Sequence, residues 1–486
     1  MKNLIVIVAL FSAFNLFAQT ETKPTNFCGS NHGRSEWLKN YQKNKKDFDS
    51  RGSEPIYMPM TVFLLSNDDG KKGYNFGTFL DDFYVLNKDF EQANMRFFLK
   101  SPVRYIKNTA INNHKTFDEG LPMYDNNVEN TVNSYFVSDP AGNCGYDWPG
   151  KGIALNKGCM GKFNHTWAHE MGHELSLPHT FVGWEGENIV LSQKAPLEIN
   201  GNTVELLDKS NCATAADGFC DTQADYLSYR WACGADKKTS YDVIDPTGQK
   251  FKINGDLFMS YALDACTSKF SPEQSGAMRA HSTSEKIDFL ATQNPHKPLV
   301  GISKNNTPSD STMNVDFEKA QFSWSKVGNA SHYYVEISRL PSFNSVDISE
   351  SVTDTFFTIK LLPTKRYYWR VRAYNYGYTT FSDVLKSTVF WTSSPAVSVN
   401  ELTLNEFIVY PNPVAENQEI NIQFEADFSE KIKMELIDIS GKTLITKDLN
   451  VENGENKTTL KTDFPKGIYF LQLKSKRGIK VEKVVI

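Results

Sequence analysis

The clearest chemistry in the sequence lies in His165-Thr166-Trp167-Ala168-His169-Glu170-Met171-Gly172-His173-Glu174-Leu175-Ser176-Leu177-Pro178-His179. His169 and His173 are four residues apart, so on an α-helix their imidazoles leave one face a turn apart, where two nitrogens can share a Zn²⁺ ion. Glu170 follows the first histidine and reaches a water held beside such a metal, the position of a general base. Pro178 makes it unfavourable for the helix to continue as far as His179. The chain must therefore turn sharply after Leu175 if His179 is to return as a third ligand. Three neutral imidazoles with one position left for water suit hydrolysis: Glu170 takes the proton of the zinc-bound water and passes it to a leaving amine, with no nucleophilic Ser or Cys.

These residues resemble the metzincin pattern His-Glu-x-x-His-x-x-Gly-x-x-His, with Ser176 in the usual Gly position. Gly tolerates the positive φ of that turn, and Ser carries a penalty of roughly 1 kcal/mol there. Downstream, Asp256-Leu257-Phe258-Met259-Ser260-Tyr261 resembles the metzincin Met-turn. That resemblance implies Met259 as an apolar floor under the histidines and Tyr261 as a phenol aimed at the metal site, able to help stabilise a tetrahedral oxyanion.

From about residue 56 to 290 the chain resembles one metzincin family, the pappalysins. The resemblance rests on Phe83-Tyr84-Val85-Leu86-Asn87-Lys88-Asp89-Phe90 before Met95-Arg96-Phe97-Phe98-Leu99, and on Gly218-Phe219-Cys220-Asp221-Thr222-Gln223-Ala224-Asp225, where Gln223 stands in place of the usual Pro. It implies a secreted zinc-dependent endopeptidase acting on protein or peptide substrates, with Zn²⁺ on His169, His173 and His179. The family includes enzymes that prefer Arg or Lys. Asp217 and Thr222 match positions that bind Ca²⁺ in relatives; hard oxygens suit that ion, but two residues do not define its shell, and an Asp-rich turn is the competing reading. A thermolysin-like site would need a later Glu, and Glu185 and Glu187 follow Pro178 too soon. An aspzincin-like site using Asp217 or Asp221 leaves His179 unexplained. The competing function is a non-catalytic adhesion or binding protein on a degenerate metzincin scaffold.

All seven cysteines fall before residue 267. Cys144, Cys159, Cys212, Cys220, Cys233 and Cys266 can form three bridges, and the sequence alone leaves the connectivity open. Cys144 with Cys159 is a local pair, and the other four resemble the family's cysteines around the Met-turn. Cys28 is the odd one. Its setting, Asn26-Phe27-Cys28-Gly29-Ser30, resembles the Cys-Gly motif by which some pappalysin zymogens place a thiolate on the zinc, which implies latency; the competing reading is an unpaired thiol in a floppy arm.

The elements that position these residues fall into segments. Met1-Lys2-Asn3, an apolar run from Leu4 to Phe17 broken by Ser12 and Asn15, and Ala18 read as a signal peptide over 1–18. The run is shorter than the roughly 20 residues that span a bilayer, and no later stretch is long and apolar enough for a transmembrane span. Residues 19–51 read as a polar pro-segment, removed near Arg51-Gly52. The catalytic domain covers 52–294, with a strand from Ile56 to Leu65 and a helical period in Phe79, Phe83, Leu86 and Phe90. Pro295 and Pro298 mark a linker. In 300–395 the alternating runs Phe322-Ser323-Trp324, Tyr333-Tyr334-Val335-Glu336-Ile337 and Tyr367–Ala373 make a β-sandwich pattern that resembles a fibronectin type III domain.

Residues 400–486 carry Tyr410-Pro411-Asn412-Pro413-Val414, Ile437-Asp438-Ile439-Ser440-Gly441-Lys442, Lys466–Leu473 and Val481–Ile486. In this order they resemble the type A sorting domain of type IX secretion cargo, which implies the type IX machinery as partner and a secreted or cell-surface protein of a Gram-negative bacterium. The fold class is thus multidomain, an α+β metzincin catalytic domain followed by two all-β sandwich-like domains. With 52 Lys+Arg against 57 Asp+Glu, the net charge of −5 gives no general pull towards nucleic acid or anionic lipid.

Overall fold

Strand β2 (Ile56–Ser66) is buried along almost its whole length, which explains why its sequence is a largely apolar run rather than an alternating one: Met58, Met60, Val62 and Leu64 face the main core, and Phe63 and Leu65 face a second one across the sheet. The computed structural model describes residues 26–30, 33–48, 52, 54–395, 401–415 and 418–486; the signal peptide expected over 1–18 lies outside the described residues. In chain order the principal elements of the first part are β1 (Asn26–Cys28), α1 (Glu36–Lys43), β2, α2 (Phe76–Asp89), β3 (Met95–Leu99), β4 (Arg104–Lys107), β5 (Val132–Val137), β6 (Asn143–Trp148), β7 (Gly152–Asn156), α3 (Thr166–Glu174) and α4 (Pro272–Ser284). The sheet runs β1-β6-β7-β5-β2-β3, with β4 also paired to β2. Only the β6–β7 pairing is antiparallel.

Helix α2 has the apolar face its period predicts. Asn75 caps it by accepting from the Thr78 N–H, and Phe79, Phe83, Leu86 and Phe90 are all buried in the main core. Phe136 of β5 meets Phe79 and, edge to face at 5.0 Å, Trp167 of α3. The core thus lies between the sheet and the two helices, and it fixes α3 along its length.

The segment expected as a polar arm is part of this fold. Its few apolar residues are spaced for one helical face, and Leu38 and Tyr41 of α1 join the main core. Trp37 stacks on Tyr41 and meets His281 of α4 edge-on at 4.7 Å. Upstream, β1 adds to the sheet as an edge strand beside β6, with Cys28 opposite Gly145.

Residues after 300 form a sandwich of two sheets. One holds Asn305–Thr307, Ala320–Trp324 and Phe356–Ile359; the other is built on His332–Ser338, Ile348–Val352, Arg366–Asn375 and Thr388–Thr392. Phe322, Trp324, Trp369 and Phe390 fill the space between. The proline-marked linker is fastened down: Asn294 donates to the Tyr378 hydroxyl at 2.7 Å, and His296 packs on Gly377. Arg372, fully buried, donates to Asp81 of α2 at 3.0 Å, and the Ser382 N–H donates to the same oxygen. The sandwich and the α/β part accordingly form one compact unit, and the chain divides once, between Ser393 and Ser394.

The second unit is a sandwich of its own. Asn405–Tyr410, Glu419–Ala426 and Gly454–Lys461 make one sheet; Thr443–Val451, Glu430–Asp438, Ile468–Ser475 and Gly478–Val485 make the other. Alternating burial, as in Glu419–Ala426, sends Ile420, Ile422 and Phe424 inward. Among the described residues no helix is long and apolar enough to cross a membrane.

The Arg372–Asp81 pair gives a measurable consequence. Arg372→Leu leaves a carboxylate buried without its cation and should cost about 3 kcal/mol of unfolding free energy in denaturant titrations. Adding Asp81→Asn, which keeps an acceptor for Ser382, should recover most of that loss. No recovery in the double variant would show that charge is not what the pair contributes.

Candidate metal centre

All nine residues of α3 are buried, so its polar members are held by specific partners. The helix ends in a turn that the sequence places at Ser176, and the geometry is a Schellman closure. The Ser176 N–H donates to His173 O at 2.8 Å and the Leu177 N–H to Gly172 O at 2.9 Å. Ser176 takes φ of 75°, so the turn keeps the left-handed backbone for which Gly is favoured. The closure brings Leu177 O to 2.8 Å from His173 Nδ1, and the chain beyond Pro178 returns His179 to the helix face.

His173 Nε2 lies 3.2 Å from both His169 Nε2 and His179 Nε2. On the outer side, His169 Nδ1 donates to Phe258 O at 2.6 Å, His173 Nδ1 to Leu177 O, and His179 Nδ1 faces Glu185 Oε1 at 3.4 Å. An imidazole donating from Nδ1 carries its lone pair on Nε2. Burial, and then His179, push His169 well below the usual histidine range, so it stays neutral. Three lone pairs aimed into one space repel unless a cation accepts them. Nitrogen donors placed tetrahedrally at about 2.0–2.1 Å from Zn²⁺ stand about 3.3 Å apart, which matches this spacing. The residues therefore fit a zinc ion.

The Met-turn residues lie under the helix. Met259 is fully buried, and a Cβ at Gly172 would stand 2.4 Å from its Sδ, so the close approach depends on that glycine. The same segment ties two histidines down: Phe258 O holds His169, and Met259 O accepts from the N–H of Thr180, next to His179. Asp225 Oδ2 joins them by accepting from the hydroxyls of Thr180 at 2.6 Å and Ser260 at 3.0 Å. Sequence reasoning gave Asp225 no role, and nothing local in the sequence signals one.

Cys28 Sγ sits 3.5 Å from both His173 Nε2 and Glu170 Oε2. Ligand atoms of Cys28, His169, His173 and His179 all lie within 4.8 Å of one another. Burial and then Glu170 push the Cys28 thiol well above its usual range; a cation among the imidazoles reverses that preference. Burial likewise pushes the Glu170 carboxyl up to about 8, and its Oε1 has no hydrogen-bond partner. Two further residues shape this corner. Ser30 donates to Glu170 Oε2 at 3.4 Å, and a Cβ at Gly145 would stand 2.9 Å from Glu170 Oε1. Tyr261 packs against His179 and donates its phenol proton to Cys28 O at 3.2 Å. Burial keeps that phenol protonated.

The six remaining cysteines are paired Cys144–Cys159, Cys212–Cys220 and Cys233–Cys266, and Cys28 is the free one. Asp217 and Thr222 are both buried, and Thr222 donates to Asp217 Oδ1 at 3.2 Å. Burial pushes Asp217 up to about 8, and burial with the nearby Asp217 pushes Glu205 up to about 9. Among the described residues the cluster of three or more groups able to hold a metal is the Cys28–histidine set, and Asp217 is not in it.

Residues 408–486 match the family described as a secretion system C-terminal sorting domain. No curated protein matches the chain. Among solved structures, a mutant of Tannerella forsythia promirolysin is similar at 18% identity and a TM-score of 0.38, over 54% of this chain and 97% of that one. The chicken CNTN1 FN1-FN3 domains are similar at 14% identity and a TM-score of 0.16, over 39% of this chain and 68% of theirs. The fibronectin(III)-like modules of Clostridium thermocellum CbhA give 10% and 0.15, over 38% and 92%. Structural likenesses this low carry neither the fold nor the site, which rest on the geometry above.

Proposed function

We propose that the chain is a secreted zinc-dependent endopeptidase of metzincin type, made as a latent precursor. The observation that carries this reading is the convergence of three buried imidazoles, with His173 Nε2 3.2 Å from the Nε2 atoms of both His169 and His179, beside the buried Glu170. The organisation that goes with it is a signal peptide over 1–18, a pro-segment over 19–51, a catalytic domain over 52–294, a fibronectin type III-like domain over 300–395 and a sorting domain over 400–486. The sorting-domain match supports export through the type IX machinery to the cell surface or beyond.

His169, His173 and His179 hold the metal, each oriented by its Nδ1 contact. A bound Zn²⁺ supplies Lewis acidity to the scissile carbonyl and lowers the pKa of water towards neutrality. Glu170, buried beside the three imidazoles, takes the proton of the attacking water and passes it to the departing amine. Tyr261, protonated and already donating to a backbone carbonyl, offers the same donor to the oxyanion that develops on the substrate. In the precursor Cys28 fills the space the water needs, and Ser30 holds Glu170 beside it.

Activity, latency and export each test this reading. Purified mature protein should cleave casein and bind about one zinc per chain, and a chelator should abolish cleavage. Glu170→Ala should keep its zinc but lose activity by about 10²–10⁴-fold; equal cleavage by wild type and this variant would sink the assignment. For latency, Cys28→Ala should make the full-length precursor active before any cleavage of the arm, and a variant as silent as wild type would remove Cys28 from the switch. For export, deleting 400–486 should leave active enzyme in the periplasm of its native host, whereas normal secretion would refute the sorting role.

A further inference from the structure

The arm that carries Cys28 also places Phe27, and Phe27 lies on a charged surface. Arg230 Cζ stands 3.8 Å from the Phe27 ring centroid, so the guanidinium covers one face of the ring. The ring also packs against His169 at 5.0 Å and, edge to face, Tyr261 at 5.3 Å. Beside it opens a pocket of about 460 Å³ whose walls include Phe181, Glu185, Ser228, Tyr229, Arg230 and Tyr261. Cys28, which reaches the metal centre, also lines it.

What Arg230 offers to this pocket is decided by where its N–H groups point. Nη1 donates to Ala262 O and Nη2 to Asp264 Oδ2, both at 2.7 Å. One N–H of each terminal nitrogen is thus engaged inside the protein, and the planar face is the one turned to the ring. A planar cation in that state suits an aromatic ring and serves an acidic side chain poorly, because a carboxylate needs the fork. A basic side chain meets the like charge of Arg230, whose ion pair already occupies Asp264, and the oxygens of the nearby carboxylates have partners. Asp264 Oδ1 accepts from the His165 N–H, while Glu185 Oε2 accepts from the Gly183 N–H and its Oε1 faces His179.

We infer that this pocket selects an aromatic side chain flanking the scissile bond, held on the face of Arg230, in preference to Arg or Lys. The inference rests on the endopeptidase reading above. Phe27 is the arm's own occupant of that position, and its departure with the arm vacates the place for a substrate side chain.

The experiment has two arms. In the first, mature enzyme is given a peptide library and its cleavage sites are sequenced. Phe, Tyr or Trp should be enriched over Leu about three- to tenfold at one position beside the cleaved bond, the range of an exposed to partly buried cation–π contact, and Arg230→Met should flatten that enrichment. A profile led by Arg or Lys, or one unchanged by Arg230→Met, overturns the inference while leaving the endopeptidase reading intact. The second arm needs no catalysis. In the full-length chain the Gly29 N–H donates to Gly145 O at 2.8 Å and reports the docking of the arm. Phe27→Leu should speed hydrogen exchange at Gly29 about three- to tenfold, and much less in an Arg230→Met background. An equal effect in both backgrounds overturns the inference. A chain that cleaves neither casein nor any library peptide overturns the endopeptidase reading instead, and the exchange arm still decides whether Arg230 holds the ring.

Discussion

Three nitrogen lone pairs are held facing one another, and this arrangement is unfavourable until a cation joins it. The structure meets that constraint from outside, by hydrogen bonds to the far side of each imidazole. Phe258 O and Leu177 O accept from two of the rings, and Glu185 stands behind the third. Leu177 and Glu185 follow closely on the histidines they face, whereas Phe258 comes from a distant segment, so the site joins two parts of the chain. Met259 and Gly172 set how near the Met-turn comes to α3, and Asp225 joins the Met-turn to the residue after His179. Burial of so many polar groups at the site is tolerable because most of them have partners.

The arm is held by tertiary contacts rather than by a flexible tether. Helix α1 contributes Leu38 and Tyr41 to the main core, β1 pairs with the edge of the sheet, and Ser35 Oγ lies 2.9 Å from Ser176 Oγ at the turn that returns His179. The thiol therefore arrives at the imidazoles at a high effective concentration, and a weak individual contact becomes a lasting one. The sheet edge occupied by β1 is a strand-pairing surface that suits an extended segment.

Beyond the site, the sandwich over 300–395 is fastened to the α/β part through a buried ion pair rather than a broad apolar seam alone. Arg372 reaches Asp81 on α2, the helix whose other face packs against Trp167 of α3. That arrangement makes the sandwich part of the same compact unit, although its sequence texture marks it as a separate segment. Composition and alternation report how a stretch of chain folds locally; they carry no information about which folded pieces then share an interface.

The sequence by itself determined what depends on spacing along one element. The four-residue step from His169 to His173 fixes a shared helix face, Pro178 forces the turn before His179, the period of Phe79, Phe83 and Leu86 fixes the buried face of α2, and the apolar run from Ile56 to Leu65 marks β2 as a strand. Only the tertiary structure decided the rest: which cysteines pair, that Cys28 reaches His173 and Glu170, that Gly145 and Ser30 shape the corner around Glu170, and that Arg230 turns its face to Phe27. Helical and strand periods are local geometry repeated every few residues, so a single sequence displays them. Contacts such as Cys28 with Glu170 or Phe27 with Arg230 join residues far apart in the chain, and they exist only because packing the core brings β1, β6, α3 and the Met-turn to one place.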